Sequence, residues 1–313
     1  MRSKPRSLKN WLPRLLVAAL VAVPIQFVAF AQPAQAVDAP GSINFDGASG
    51  DSSLSTTLDE APGTGDLTYE FWYKQTESIG NQLIFSTQSS SNAADGFEFP
   101  AYVAQPKGAP KGAIVVVQEI FGVNAHIKEV ADGYAAQGYL AVAPATFHRA
   151  KHGVELGYTP DDMQAGMALK AAIEALPAPG VMADIQAAVD YAAKTSGGKV
   201  GIVGYCWGGL LSWRAAALVK GLSAAVPYYG GGSTTDEEIA RHPNCPVLAH
   251  YAEEDHWIPL DTVEKFKHAH PEVEVHLYPA HHGFNCDHRG AYQEASAKLA
   301  LVRTLAFFAK HVG

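Results

Sequence analysis

From about residue 99 onward, short and almost wholly apolar runs alternate with longer segments in which apolar residues recur every three or four positions. Phe99 to Ala104, Ala113 to Gln118, Gly138 to Ala143, Lys199 to Gly204, Ala224 to Tyr229, Pro246 to Tyr251 and Glu274 to Tyr278 read as strands. Ala125 to Gln137 and Val181 to Ala193 read as helices, the second carrying Val181, Ile185, Ala188, Val189 and Ala192 on one face. Further helices are expected near 206–219, 259–269 and 290–310. Strands apolar on both faces, set between amphipathic helices, predict an α/β fold with a mostly parallel sheet covered on both sides. Ligands in such sheets bind beyond the carboxyl ends of the strands, so the residues just after each strand are where chemistry is expected.

Ahead of this pattern, Val37 to Asn92 is rich in Ser, Thr, Gly and Asp, with apolar pieces at Ile43 to Phe45, Leu67 to Tyr73 and Leu83 to Phe85. Along Leu67-Thr68-Tyr69-Glu70-Phe71-Trp72-Tyr73-Lys74 the odd positions are apolar or aromatic and the even ones polar, Trp72 excepted, which is the period of a half-buried strand. Asn44-Phe45-Asp46-Gly47 followed by Gly65 to Lys74 resembles the opening strands of a laminin-G or concanavalin-like jelly roll. The segment is too short to close two sheets, so it is expected as a short β-rich extension over 37–94, ahead of a main domain over 95–313. A glycan or surface contact through the extension is the partner it would imply.

The first segment changes the picture of the mature chain. Arg2, Lys4, Arg6, Lys9 and Arg14 precede an apolar stretch from Leu15 to Phe30, and Ala34-Gln35-Ala36 follows: the order of a secretory signal peptide over 1–36. Pro24 and Gln26 interrupt the run short of the ~18 apolar residues that spanning a bilayer needs. The expectation is an exported protein, periplasmic or secreted, with no stable membrane anchor after cleavage. Removal of residues 1–36 takes five of the 23 basic residues and leaves 18 against 31 acidic ones, a formal charge of −13. An acidic protein lacks the basic face that tracks phosphates, so nucleic acid is not an expected partner. Three cysteines, Cys206, Cys245 and Cys286, form no disulfide framework, and an odd number leaves at least one free thiol.

One of those thiols sits in a telling context. The strand ending at Val203 and Gly204 runs through Tyr205-Cys206-Trp207-Gly208-Gly209 directly into a helix, a nucleophile elbow with Cys in place of Ser. Cys206 would then stand at a helix amino terminus, whose partial positive charge favours thiolate. Downstream, Asp255 follows one strand and His282 the next, which completes the order nucleophile, acid, base. Glu253, Glu254, His281 and His256 are rivals for those two roles on sequence grounds. The loop after Ala113 to Val117, Gln118-Glu119-Ile120-Phe121-Gly122, stands where this plan places one oxyanion donor; the backbone N–H groups of Ile120 and Trp207 are the candidates. Six histidines between His268 and His288 show no zinc-site spacing, and no metal is expected.

Together, Gln118 to Gly122, Gly204 to Gly209, Asp255 and His282-Gly283-Phe284 resemble the dienelactone hydrolase family of the α/β-hydrolase superfamily, over roughly 95–311. The resemblance implies an α/β-hydrolase fold and hydrolysis of a small-molecule lactone or ester through a Cys-His-Asp triad and a thioester acyl-enzyme, without cofactor. It also implies a Glu119 that contacts the resting thiol. Family members hold a substrate carboxylate with arginines, one of them four residues after the catalytic His; here that position is Cys286, and Arg149 and Arg289 are the nearest substitutes. The contrasting expectation is an inactive hydrolase scaffold serving as a surface binding protein.

Overall fold

The computed structural model describes residues 96–313 throughout, and ahead of them the backbone strands Ile43–Phe45, Leu54–Thr56 and Asn81–Phe85. The expected signal peptide, and most of the segment likened to a jelly roll, lie outside the described residues. Strands β1 (Ile43–Phe45) and β2 (Leu54–Thr56) pair antiparallel as a two-stranded ribbon in a unit of their own.

In the second unit an eight-stranded sheet runs in the order β10-β9-β8-β7-β5-β6-β4-β3. Its strands are β3 (Asn81–Phe85), β4 (Phe99–Ala104), β5 (Ala113–Val117), β6 (Leu140–Pro144), β7 (Val200–Tyr205), β8 (Leu222–Tyr228), β9 (Leu248–Ala252) and β10 (Glu274–Tyr278). From β6 through β10 neighbouring strands are parallel, whereas β4 lies antiparallel to both β6 and β3. The sheet is therefore mixed but mostly parallel. The direction of β4 was not readable from its composition, because a strand buried on both faces looks alike either way round. Strand β3, which falls inside the expected extension, adds an edge to this sheet.

The helices are α1 (Ala125–Ala136), α2 (Pro160–Glu174), α3 (Val181–Ser196), α4 (Trp207–Leu218), α5 (Asp236–Ile239), α6 (Leu260–Ala269) and α7 (Glu294–His311). Local signals start them where they start. Asn124 caps α1 by accepting from the Ile127 N–H, and Thr159 and Asp162 form a reciprocal capping box with Pro160 at the first turn of α2. Every residue of β5, Ala-Ile-Val-Val-Val, is buried. Each fully buried Val or Ile side chain contributes roughly 1.5–3 kcal/mol, which makes β5 and its neighbour β7 the rigid centre of the sheet. The loops after β5, β7, β9 and β10 leave the same edge of that centre, and all the expected chemistry is on them. Among the described residues no helix is long and apolar enough to cross a membrane.

Candidate active site

The turn from β7 into α4 is built by close packing. A Cβ on Gly208 would lie 2.4 Å from the carbonyl oxygens of both Val117 and Gln118, and one on Gly204 would lie 2.0 Å from the Gly208 oxygen. Glycine at both positions lets α4 start directly against the end of β5. Cys206 between them has φ 55° and ψ −116°, a conformation that costs a non-glycine residue about 1–3 kcal/mol and that the surrounding packing must hold. It is the N-cap of α4, its N–H donates to the Tyr228 carbonyl at 3.1 Å, and its side chain is half-buried.

His282 and Asp255 come together as expected. The His282 Nδ1 lies 2.7 Å from Asp255 Oδ2, with the Asp255 carboxylate fully buried, and Asp255 Oδ1 accepts from the Trp257 N–H at 2.8 Å. Cys206 stands close enough to the ring to act on its charge. Burial alone would depress the pKa of His282, but the negative sulfur of Cys206 and the hydrogen bond to Asp255 push it up to about 10. An imidazole so placed keeps its proton at neutral pH beside the sulfur. The rivals separate by burial: Glu253, Glu254 and His256 are exposed, and His281 is exposed and turned to the Glu254 carbonyl.

Glu119 is fully buried, as a site acid would be, but its partners differ from the implied contact with the thiol. Its carboxylate accepts from Tyr158 at 3.2 Å and faces the Arg289 guanidinium at 3.3 Å. Arg289 lies over the rings of Phe121 and Tyr158 as well, 5.6 Å from each centroid. Burial opposes its charge, yet the fields of Glu119 and then Cys206 raise its pKa above the ordinary arginine value. Arg289 is a cation of the site. Arg149 has its charge engaged elsewhere: its guanidinium grips the buried Asp184 through Nε and Nη2, and packs 4.2 Å from the Phe97 ring centroid. Cys286, at the position four residues after His282, is buried and its thiol pKa is pushed up to about 12, mainly by burial.

Ile120 and Trp207 are both buried, and Trp207 is the first residue of α4, so its N–H is one of the helix donors without an intrahelical acceptor. The indole of Trp207 is fixed by stacking on Phe147 at 5.0 Å and by donation to Glu174 at 3.0 Å. Sequence reasoning passed over Tyr158, in a loop without a motif, and Tyr229, which directly follows β8. Tyr229 is fully buried, has φ 35°, and packs edge-on against His282 at 5.1 Å. A Tyr-Tyr-Gly-Gly-Gly run after a strand was the available signal, since positive φ at a bulky residue needs neighbours that allow it.

Comparison with known proteins follows the same residues. Residues 99–312 match the sequence model of the dienelactone hydrolase family. A carboxymethylenebutenolidase of Pseudomonas putida is 37% identical over 229 residues, covering 70% of this chain and 94% of its own length. A Klebsiella pneumoniae protein provisionally named a dienelactone hydrolase superposes with a TM-score of 0.62 at 34% identity, covering 74% of this chain and 98% of its own. A dienelactone hydrolase-like promiscuous phosphotriesterase from metagenomic libraries, 19% identical with a TM-score of 0.58, shares the fold over 74% of this chain and 98% of its own.

Proposed function

The chain belongs to the dienelactone hydrolase family and is an ester- or lactone-hydrolysing enzyme, and we propose that Cys206, His282 and Asp255 are its nucleophile, base and orienting acid. The observation that carries this assignment is the 2.7 Å hydrogen bond between the buried Asp255 and His282, with Cys206 at the elbow close enough to act on the same imidazole. The Cys206 sulfur attacks the substrate carbonyl, and the developing oxyanion is held by the N–H groups of Ile120 and Trp207. Collapse of the tetrahedral intermediate expels the alcohol oxygen, which takes a proton from His282, and leaves a thioester. His282, now neutral, removes a proton from water, which attacks the thioester and returns the sulfur with a carboxylic acid as product.

Glu119 and Arg289 set what enters. A substrate carboxylate reaching Arg289 competes with Glu119 for the guanidinium, a charge-assisted exchange within a buried site. Replacement of Arg289 with Met is expected to raise KM for a carboxylate-bearing lactone by about 10- to 100-fold, the worth of a charge-assisted hydrogen bond, and to leave neutral aryl esters within a few-fold. Steady-state kinetics on matched acid and methyl-ester substrates checks this; equal losses on both would remove the anion-binding role.

The basic, apolar, Ala-x-Ala order of residues 1–36 supports export, and the mature protein is expected to begin at Val37. Intact-mass measurement on protein from its native host reads the start directly, and a mature chain retaining Met1 would count against export.

A further inference from the structure

Two histidines and two carboxylates meet outside the catalytic series, and we propose that they bind a divalent first-row transition ion, zinc in the first instance. Ligand atoms of His126, Glu129, Asp287 and His288 all lie within 4.8 Å of one another. His126 Nδ1 is 3.3 Å from Asp287 Oδ1, and His288 Nε2 is 2.8 Å from Glu129 Oε2 and 3.8 Å from Asp287 Oδ1. Tetrahedral zinc with nitrogen and oxygen ligands at ~2.0–2.1 Å sets donors ~3.3 Å apart, so shifts of side-chain ends alone would close the shell. Two imidazoles with two carboxylates suit zinc and its neighbours, whereas magnesium and calcium prefer oxygen alone.

A surface ion-pair network does not account for His126. Its side chain is 4% exposed, aimed between Asp287 and the His288 ring, and its Nε2 is buried with no hydrogen-bond partner. Behind it, His126, Glu119 and Cys286 also have ligand atoms within 4.8 Å of one another. The spacing is equally deliberate. His126 and Glu129 stand three residues apart on one face of α1, and a cavity of about 360 Å³ beside them, lined also by Asp287, Tyr292 and Lys298, gives an ion access to the cluster. Lys298 is held by Glu294.

The proposal does not depend on the hydrolytic reading. Untagged full-length protein, titrated with Zn²⁺ in competition with a chromophoric chelator, is expected to bind one equivalent that excess Mg²⁺ does not displace. His288→Ala and Asp287→Asn, both at side chains with substantial exposure, should each weaken binding at least tenfold with unchanged thermal unfolding of the zinc-free protein. Cys206→Ala should bind as the parent does. Binding no tighter in the parent than in His288→Ala and Asp287→Asn would overturn the site, as would a single equivalent lost in Cys206→Ala, which would put the ion on the catalytic pair.

Discussion

Cys206→Ala is expected to lower turnover of aryl esters and lactones by at least about 10⁴-fold while leaving the folded state intact, because it removes the sulfur proposed to carry the acyl group. The residual rate would come from the oxyanion donors and substrate binding. Alanine is slightly smaller than cysteine, and at φ 55° it inherits the same backbone strain, so stability should change little. The loss should be mirrored by chemistry on the intact enzyme. All three cysteines are free, but burial pushes the Cys245 thiol up to about 11 and the Cys286 thiol up to about 12. Only Cys206 combines partial exposure, a helix amino terminus and a proton-holding imidazole. A single equivalent of iodoacetamide at neutral pH should therefore label Cys206 and stop turnover together. If Cys245→Ser or Cys286→Ser abolished activity while Cys206→Ala kept it, the site would have to be placed elsewhere.

Asp255→Asn should cost about 10³–10⁴-fold in kcat with little change in KM. The amide fills the same space but can present an N–H to His282, turning the ring to the wrong tautomer and withdrawing the acceptor that helps to hold its proton. The pH behaviour separates this from a loss of packing. In the native protein His282 is raised from 6.5 to about 10, so its ion-pair contribution to stability is complete below pH 6.5 and is lost as the pH rises through about 10. Removing the Asp255 hydrogen bond lowers the folded-state pKa and moves that loss to lower pH. Imidazole resonances followed across pH 6 to 11, in both proteins, read the shift; an unchanged His282 titration in Asp255→Asn would show that the carboxylate does not act on the ring.

What the sequence made legible was the part governed by local rules. The all-apolar Ala113 to Val117, the glycine-flanked Cys206 and the acid and base following successive strands each announced their position through short-range constraints. Burial then separated Asp255 from Glu253 and Glu254, and His282 from His281, which no local rule could do. The partners of Glu119 were hidden for the same reason. Arg289 and Tyr158 reach it from segments without a motif, and the contact implied with Cys206 gives way to a pair with Arg289. Arg149 was offered beside Arg289 as a carboxylate-binding residue because its partner, Asp184, sits on α3, facing inward where a charged residue would be read as an interruption of the apolar stripe. The grouping of His126, Glu129, Asp287 and His288 escaped a search by spacing because Glu129 and His288 are 159 positions apart. Residues 37–94 divide in a way composition did not foretell: Asn81–Phe85 extends the main sheet, while Ile43–Phe45 and Leu54–Thr56 pair with each other.

The central claim is that hydrolysis passes through an acyl group carried on the Cys206 sulfur. Enzyme mixed rapidly with a slowly deacylating aryl ester, quenched in acid and digested, should show the acyl mass on the peptide containing Cys206, formed with the burst of phenol and decaying at the steady-state rate. Turnover with no acyl adduct on Cys206, or an adduct confined to another residue, would contradict the account; absence of any turnover across esters and lactones would leave the inactive-scaffold reading in its place.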